Sequence, residues 1–463
     1  MVRSSNRFFS KLYNPLYSFS VSTMINNNRK ISIVVYVVLV TIVVDTMINQ
    51  NADYLVAFNT SASGIALFIV MASVCMIGQY FILEYVKDKS REIRIRVRNL
   101  GMLHVIVTMI QYALISVFIF VIIDIVVLQQ YPTVSLVIVT AASYGLNIGL
   151  MGIFTHIFFS WYRSNRHSVV VLLYGLSFAV IVITSSVLVT ISFYRFMEKP
   201  LYIFPYSKVV FVKFEEGSVL YNLREIYHYS GIVSFILKWA ATVLLLYHYS
   251  RKIGRTKYWV LVSLPLAYFL GTFMDDFHIY EPHSGSEQFY WYLYASLNST
   301  AGGILFGIGF MLGAKHFHEK PYIKDYMIIS GFGFILFFSA GQSILTITPY
   351  PPYGFATMSI FGLSTYLILV GLYSTAISVS EDIELRRHIK KSTQNEAKFL
   401  HSIGTAHMER ELMKRMILKA REEQKELVDE SGGVRSSLSE KDIINVVKEA
   451  EKDIKNEDER PMT

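Results

Sequence analysis

Cysteine is almost missing: Cys75 is the only one in 463 residues. A single thiol excludes a disulfide framework within the chain and any cysteine-built metal site. It sits inside an apolar run, where it reads as a small buried hydrophobe. A cleavage site is missing too. The first apolar run starts only after thirty residues, is wide enough to cross a membrane, and has no small-residue processing motif behind it. The reading is a retained anchor, not a leader.

What the chain has in quantity is apolar surface. Hydrophobic residues make up 53% and the mean hydropathy is +0.40, too apolar for an ordinary soluble domain. The surplus is gathered in ten runs near 31–49, 62–84, 101–128, 133–162, 168–196, 229–250, 258–274, 289–313, 325–347 and 353–379. Runs of this kind match a bilayer core of ~30 Å. Aromatic clusters at Trp161-Tyr162, Tyr258-Trp259 and Tyr290-Trp291-Tyr292 suit the membrane–water boundary, where one ring edge stays wet.

Cations are scarce in alternate loops. The segments assigned to the outside carry Lys or Arg only between Arg195 and Arg224, whereas the inner ones hold Arg29-Lys30, the run from Lys87 to Arg98, Arg163, and Arg251 to Lys257. This bias places both termini in the cytoplasm of a cell-membrane protein. Net charge is +8, and its placement beside the spans speaks for lipid headgroups as partners and against nucleic acid. The fold class expected is therefore an all-α integral membrane bundle of ten helices. Residues 1–30 form a basic cytoplasmic lead. The outer loop 197–228 is predicted to hold a β-hairpin, with strands at Lys208 to Phe214 and Ser218 to Tyr221. With five spans on each side of that loop, two halves of inverted orientation would be possible.

From Ser380 the composition turns densely charged. Ile403, Ala406, Met413, Ile417, Ala420 and Leu427 recur at steps of three and four, a stripe interrupted by Arg410 and Gln424, predicting an amphipathic helix or short coiled coil over 380–430 that continues from the last span. Gly404 weakens that helix by ~1 kcal/mol. A second helix over 439–455 is predicted from Ser439, Asp442 and the staple Leu438–Ile443. The tail carries His407 and Glu409 on a helix, which invites comparison with histidine kinases. No proline-containing phosphoacceptor box follows, and the remaining residues cannot supply an ATP-binding domain.

The stretch Leu369-Val-Gly-Leu-Tyr-Ser-Thr-Ala-Ile-Ser-Val-Ser-Glu-Asp382, together with Ser402-Ile-Gly-Thr-Ala-His-Met-Glu-Arg-Glu-Leu412, resembles a group of archaeal multi-pass membrane proteins. The resemblance implies a topology and an archaeal setting. That group has no assigned activity, so it implies no site residues.

Three intramembrane charges draw functional attention. Lys238 falls near the middle of the sixth run, where an unpaired charge costs ~2.5–3.5 kcal/mol. Asp45 and Asp124 are its candidate partners, either as a structural pair or along a solute or proton pathway. After the seventh run, Asp275, Asp276, His278, Glu281 and His283 crowd one loop. Such a set could hold a divalent metal on the outer face, the alternative being a solvated acidic loop. No cofactor is otherwise predicted. Gly145, Gly149, Gly303, Gly307, Gly309 and Gly313 keep spacings that allow close helix packing, within the bundle or in a homo-oligomer.

Two functions remain open. One is a sensor or signalling scaffold acting on a cytoplasmic protein through residues 380–455. The other is a secondary transporter with Lys238 and carboxylates in its pathway. A membrane enzyme with an outer metal site is a third reading.

Overall fold

The computed structural model describes residues 30–52, 54–205, 217–247, 250–271, 274, 285–314, 321–341, 350–382, 386 and 395–430. It is an all-α membrane protein. Among the described residues, eight helices are long and apolar enough to cross a bilayer: α1 (Lys30–Gln50), α3 (Ala62–Lys89), α5 (Arg98–Leu128), α6 (Thr133–Ser164), α7 (Val169–Met197), α8 (Val219–Leu246), α12 (Pro321–Ala340, counted from Tyr322) and α13 (Phe355–Glu381). Short α2 (Val56–Asn59), α4 (Arg91–Arg96) and α9 (Ser250–Ile253) lie in connections.

Two further apolar runs also form helices. α10 (Arg255–Gly271) has Pro265 inside it. α11 (Gly285–Ala314) holds the apolar stretch Thr300–Ala314.

Lipid-side packing explains the surface. Large apolar side chains such as Val127 and Met109 are more than 60% exposed, which a soluble monomer does not tolerate over whole helices. Inside, helices approach through small residues, because hydrocarbon outside gives little hydrophobic drive for association. A Cβ on Gly307 would lie 2.6 Å from Gly331 O on α12. One on Gly371 would lie 2.6 Å from Tyr326 O. These contacts weld α11 to α12 and α12 to α13.

α13 is the hub. Every residue from Phe355 to Val379 except Tyr373 is buried. It packs against α3, α5, α6 and α12, and against the tail helix α14 (Asn395–Glu430).

The segment Ser218 to Tyr221, expected to be a strand, is instead the start of α8. Ser218 takes an extended backbone and its hydroxyl accepts from Tyr221 N at 3.1 Å. An N-cap thus overrides the β-branched local preference. The other expected strand, Lys208 to Phe214, lies outside the described residues. A small antiparallel pair, β1 (Tyr131–Pro132) with β2 (Tyr202–Ile203), joins the α5–α6 turn to the segment after α7.

Candidate functional site

The first turn of α13 is capped from another helix. Asp45 on α1, fully buried, accepts from Gly354 N at 3.0 Å, from Thr357 N at 3.1 Å and from Thr357 Oγ1 at 2.6 Å. One turn further along α1, Asn49 Nδ2 donates to Tyr353 O. A carboxylate at a helix amino end satisfies orphan N–H groups and faces the positive end of the helix dipole. Gly354 has φ +87° and the Asn49 amide lies against its α-carbon, so no side chain fits there.

Below this cap, α13 collects polar side chains from its neighbours. Gln79 on α3 donates to Ser359 Oγ at 2.5 Å. Gln111 on α5 reaches Ser359 O at 3.5 Å, and His104 on the same helix meets Tyr366 OH at 2.8 Å. Asn147 on α6 accepts from Thr365 Oγ1 at 2.8 Å and donates to Ser185 Oγ on α7 at 2.6 Å. Each pairing replaces a polar group stranded in hydrocarbon. The hub helix is therefore held in one register by side chains from five neighbours or their partners.

Lys238 on α8 is buried, and Nζ donates to Ser234 Oγ at 2.8 Å. Ser234 in turn accepts from Ser177 Oγ through its carbonyl at 3.0 Å. The ammonium also lies 4.7 Å from the centre of the Phe338 ring, a cation–π contact. Among the described residues no carboxylate lies within ion-pair distance of it. The expected Asp45 partner is engaged at α13 instead. Asp124, buried near the end of α5, forms no ion pair among the described residues. Among the described residues the ion pair that joins two helices is Lys89 with Asp325, partly buried, at 2.7 Å between α3 and α12. Tyr326 OH adds a bond to Lys89 O at 3.2 Å. Sequence reading placed Lys89 in a loop-facing basic run and missed this pair.

The glycines divide by face. Gly303 and Gly307 press on α12 and Gly309 on α8, where a Cβ would lie 3.3 Å from Thr242 Cγ2. Gly313 is buried. Gly145 and Gly149 instead meet nothing within 4 Å and are exposed. Packing among the described residues does not use them. The loop cluster Asp275, Asp276, His278, Glu281 and His283 lies outside the described residues.

The tail holds the arrangement that sequence reasoning described least well. α13 does not run on into it. The chain turns extended at Asp382 (φ −95°, ψ 100°), and α14 begins at Asn395. The first half of α14 then packs into the end of the bundle. Phe399, Leu400, Ile403 and Ala406 are buried. The Phe399 ring lies 5.9 Å from that of Tyr174 on α7 and 6.3 Å from that of Phe310 on α11. Burying side chains of this size is worth ~1.5–3 kcal/mol each, enough together to keep the segment seated. Asn165 Nδ2, in the α6–α7 turn, donates to Ser402 Oγ at 3.1 Å.

At the next turn His407 stands edge-on between Trp161 and Tyr373, with ring centres at 6.5 and 5.5 Å. Burial holds its imidazole below the ordinary value; Glu411 opposes this shift and Arg410 adds to it. Of the predicted stripe, Ile403 and Ala406 thus face the bundle and not a second tail helix. Met413 and Ile417 are half-buried. The side chains of Ala420 and Leu427 fall outside the described ones, as does the whole 439–455 segment.

Comparison with known protein families, curated proteins and solved structures finds no match.

Proposed function

We propose that this chain is a membrane sensor that signals through its tail helix. In this reading ten segments are membrane-embedded, both termini are cytoplasmic, and a separate cytoplasmic protein reads the distal half of α14. The observation that carries it is the seating of Phe399 to His407 in the end of the bundle. The segment contacts α6, α7, α8, α11 and α13, so a shift of any of these helices changes its seat. Beyond the seat, Leu412, Met416 and Leu418 are 43–50% exposed, which leaves an apolar surface for that partner.

Hydrogen exchange of residues 399–407 in vesicles tests this reading. Changing the proton gradient, membrane potential or osmotic load in turn should find one stimulus that alters protection of this segment. Constant protection under every stimulus, with solute uptake by the same vesicles, would refute it. Topology is checked with an impermeant thiol reagent in a Cys75→Ala background. Ser286→Cys should label from outside, and Lys257→Cys and Lys414→Cys only after permeabilisation.

A second reading is favoured by Lys238. Its ammonium is held by a hydroxyl and a ring, which leaves its charge uncompensated by any described carboxylate. An anionic solute would complement it in a transporter. Loss of uptake in Lys238→Gln with an unchanged fold would support that reading, and full uptake would end it.

A further inference from the structure

A cavity of about 360 Å³ opens at the joint between the tail helix and the bundle. Its walls come from the α6–α7 turn, the end of α8 and the first turn of α14. The polar side is Asn165, His167, Ser168, Lys398 and Ser402; the apolar side is built on Val170, Leu244 and Phe399. None of its lining residues is acidic.

The two sides differ in chemistry in a way that specifies an occupant. Lys398 and His167 are exposed at the rim, where their donors remain available to a ligand. Ser168 precedes α7 without using its hydroxyl to cap it. Val169 and Val170, the first residues of that helix, line the same wall, at the positive end of its dipole. Lysine is a compact point charge suited to phosphate-type anions. Opposite these donors the aliphatic wall and the Phe399 ring accept an apolar body.

We propose that this cavity binds a phosphate-type oxyanion, and that its occupancy seats the tail. Lys398, Phe399 and Ser402 belong to α14, whereas Asn165, His167 and Leu244 belong to the bundle, so a ligand touching both halves binds only when they are together. A ligand of this kind stabilises the seated tail by mass action. The inference rests on the tail-signalling reading and deepens it by naming the chemistry that controls the joint. Two sources supply such an anion: the headgroup of an acidic phospholipid, or a soluble phosphate compound.

The experiment uses the full chain in nanodiscs and reads hydrogen exchange at 399–407. One arm adds inorganic phosphate to discs of neutral phosphatidylcholine. The other replaces part of that lipid with phosphatidylglycerol. At a ligand level ten times its Kd, protection should rise about tenfold. Protection by phosphate in neutral discs identifies a soluble ligand; protection by phosphatidylglycerol alone identifies a lipid. Lys398→Met and His167→Gln should each lose most of the gain while keeping the protection seen in neutral lipid alone. A gain that survives both substitutions, or no gain with either probe, would overturn the site. Rapid exchange at 399–407 in every condition is a different failure, since it would remove the seated tail and the functional reading with it.

Discussion

Gly404 on α14 crosses Val379 on α13 so closely that a Cβ at Gly404 would lie 2.5 Å from Val379 Cγ1 and 2.8 Å from its Cβ. The same site lies 3.3 Å from Ser380 N, so backbone as well as side chain limits what can stand there. An isolated helix gains ~1 kcal/mol from Gly→Ala. Here the crossing reverses the sign.

Gly404→Ala should therefore raise the helicity of a tail peptide and yet loosen the tail of the full chain. Gly404→Leu should unseat it. Limited proteolysis around residues 399–407 and circular dichroism of the peptide check the two halves. Equal resistance of the wild type and Gly404→Leu to protease would show that the crossing is not tight.

The seat should weaken in acid. Because burial lowers the pKa of His407 in the seated state, the unseated tail binds the proton more readily. Seating is at full strength above the ordinary imidazole value of ~6.5 and declines as pH falls below it. The decline cannot exceed about tenfold per pH unit for one group. Trp161 and Tyr373 flank the ring, and Glu411 and Arg410 are its charged neighbours. Exchange at 399–407 measured from pH 8 to pH 5.5 should show this trend. His407→Phe should flatten it.

The partly buried pair Lys89–Asp325 predicts an asymmetry between single and double variants. Asp325→Asn leaves the partly buried Lys89 ammonium without its carboxylate, a loss smaller than the ~3–5 kcal/mol of a fully buried pair. Lys89→Met with Asp325→Leu should recover most of it. Thermal unfolding in detergent gives the comparison, and a double variant as unstable as the single would refute the pairing.

Asp45 and Lys238 should behave independently. Asp45→Asn removes charge from the cap of α13 and should cost ~0.5–2 kcal/mol. Lys238→Leu removes a buried charge with no described carboxylate partner, so it should be tolerated. Combining them should give additive shifts in melting temperature. A rescue of one by the other would place them in contact and restore the intramembrane pair suggested by sequence.

The membrane class and the approximate helices were legible because hydropathy is local and a span needs a known length. Partner choice was not. Asp45 and Thr357 are 312 residues apart, and nothing in the order of residues says which helix end a buried aspartate caps. The central position of α13 left a trace in its small residues, Gly362, Ser364, Gly371, Ser374 and Ala376, but α11 shows a similar composition without being the hub. Gly404 misled for a related reason. A helix-breaking residue in a peptide becomes a contact residue once another helix crosses it. The stripe at Ile403 and Ala406 fixed an apolar face, while the identity of the surface opposite depended on the turn at Asp382. The expected metal cluster and the second tail helix fall beyond the described residues.

The seated tail is the centre of the account, and a distance measures it. Spin labels at Arg163 on α6 and Leu412 on α14, both exposed, can be placed in a Cys75→Ala background and examined by pulsed electron resonance in liposomes. A narrow, single distance distribution that broadens on Gly404→Leu is the predicted result. A broad distribution in the otherwise unaltered chain would mean that α14 is not held by the bundle, and would contradict the account.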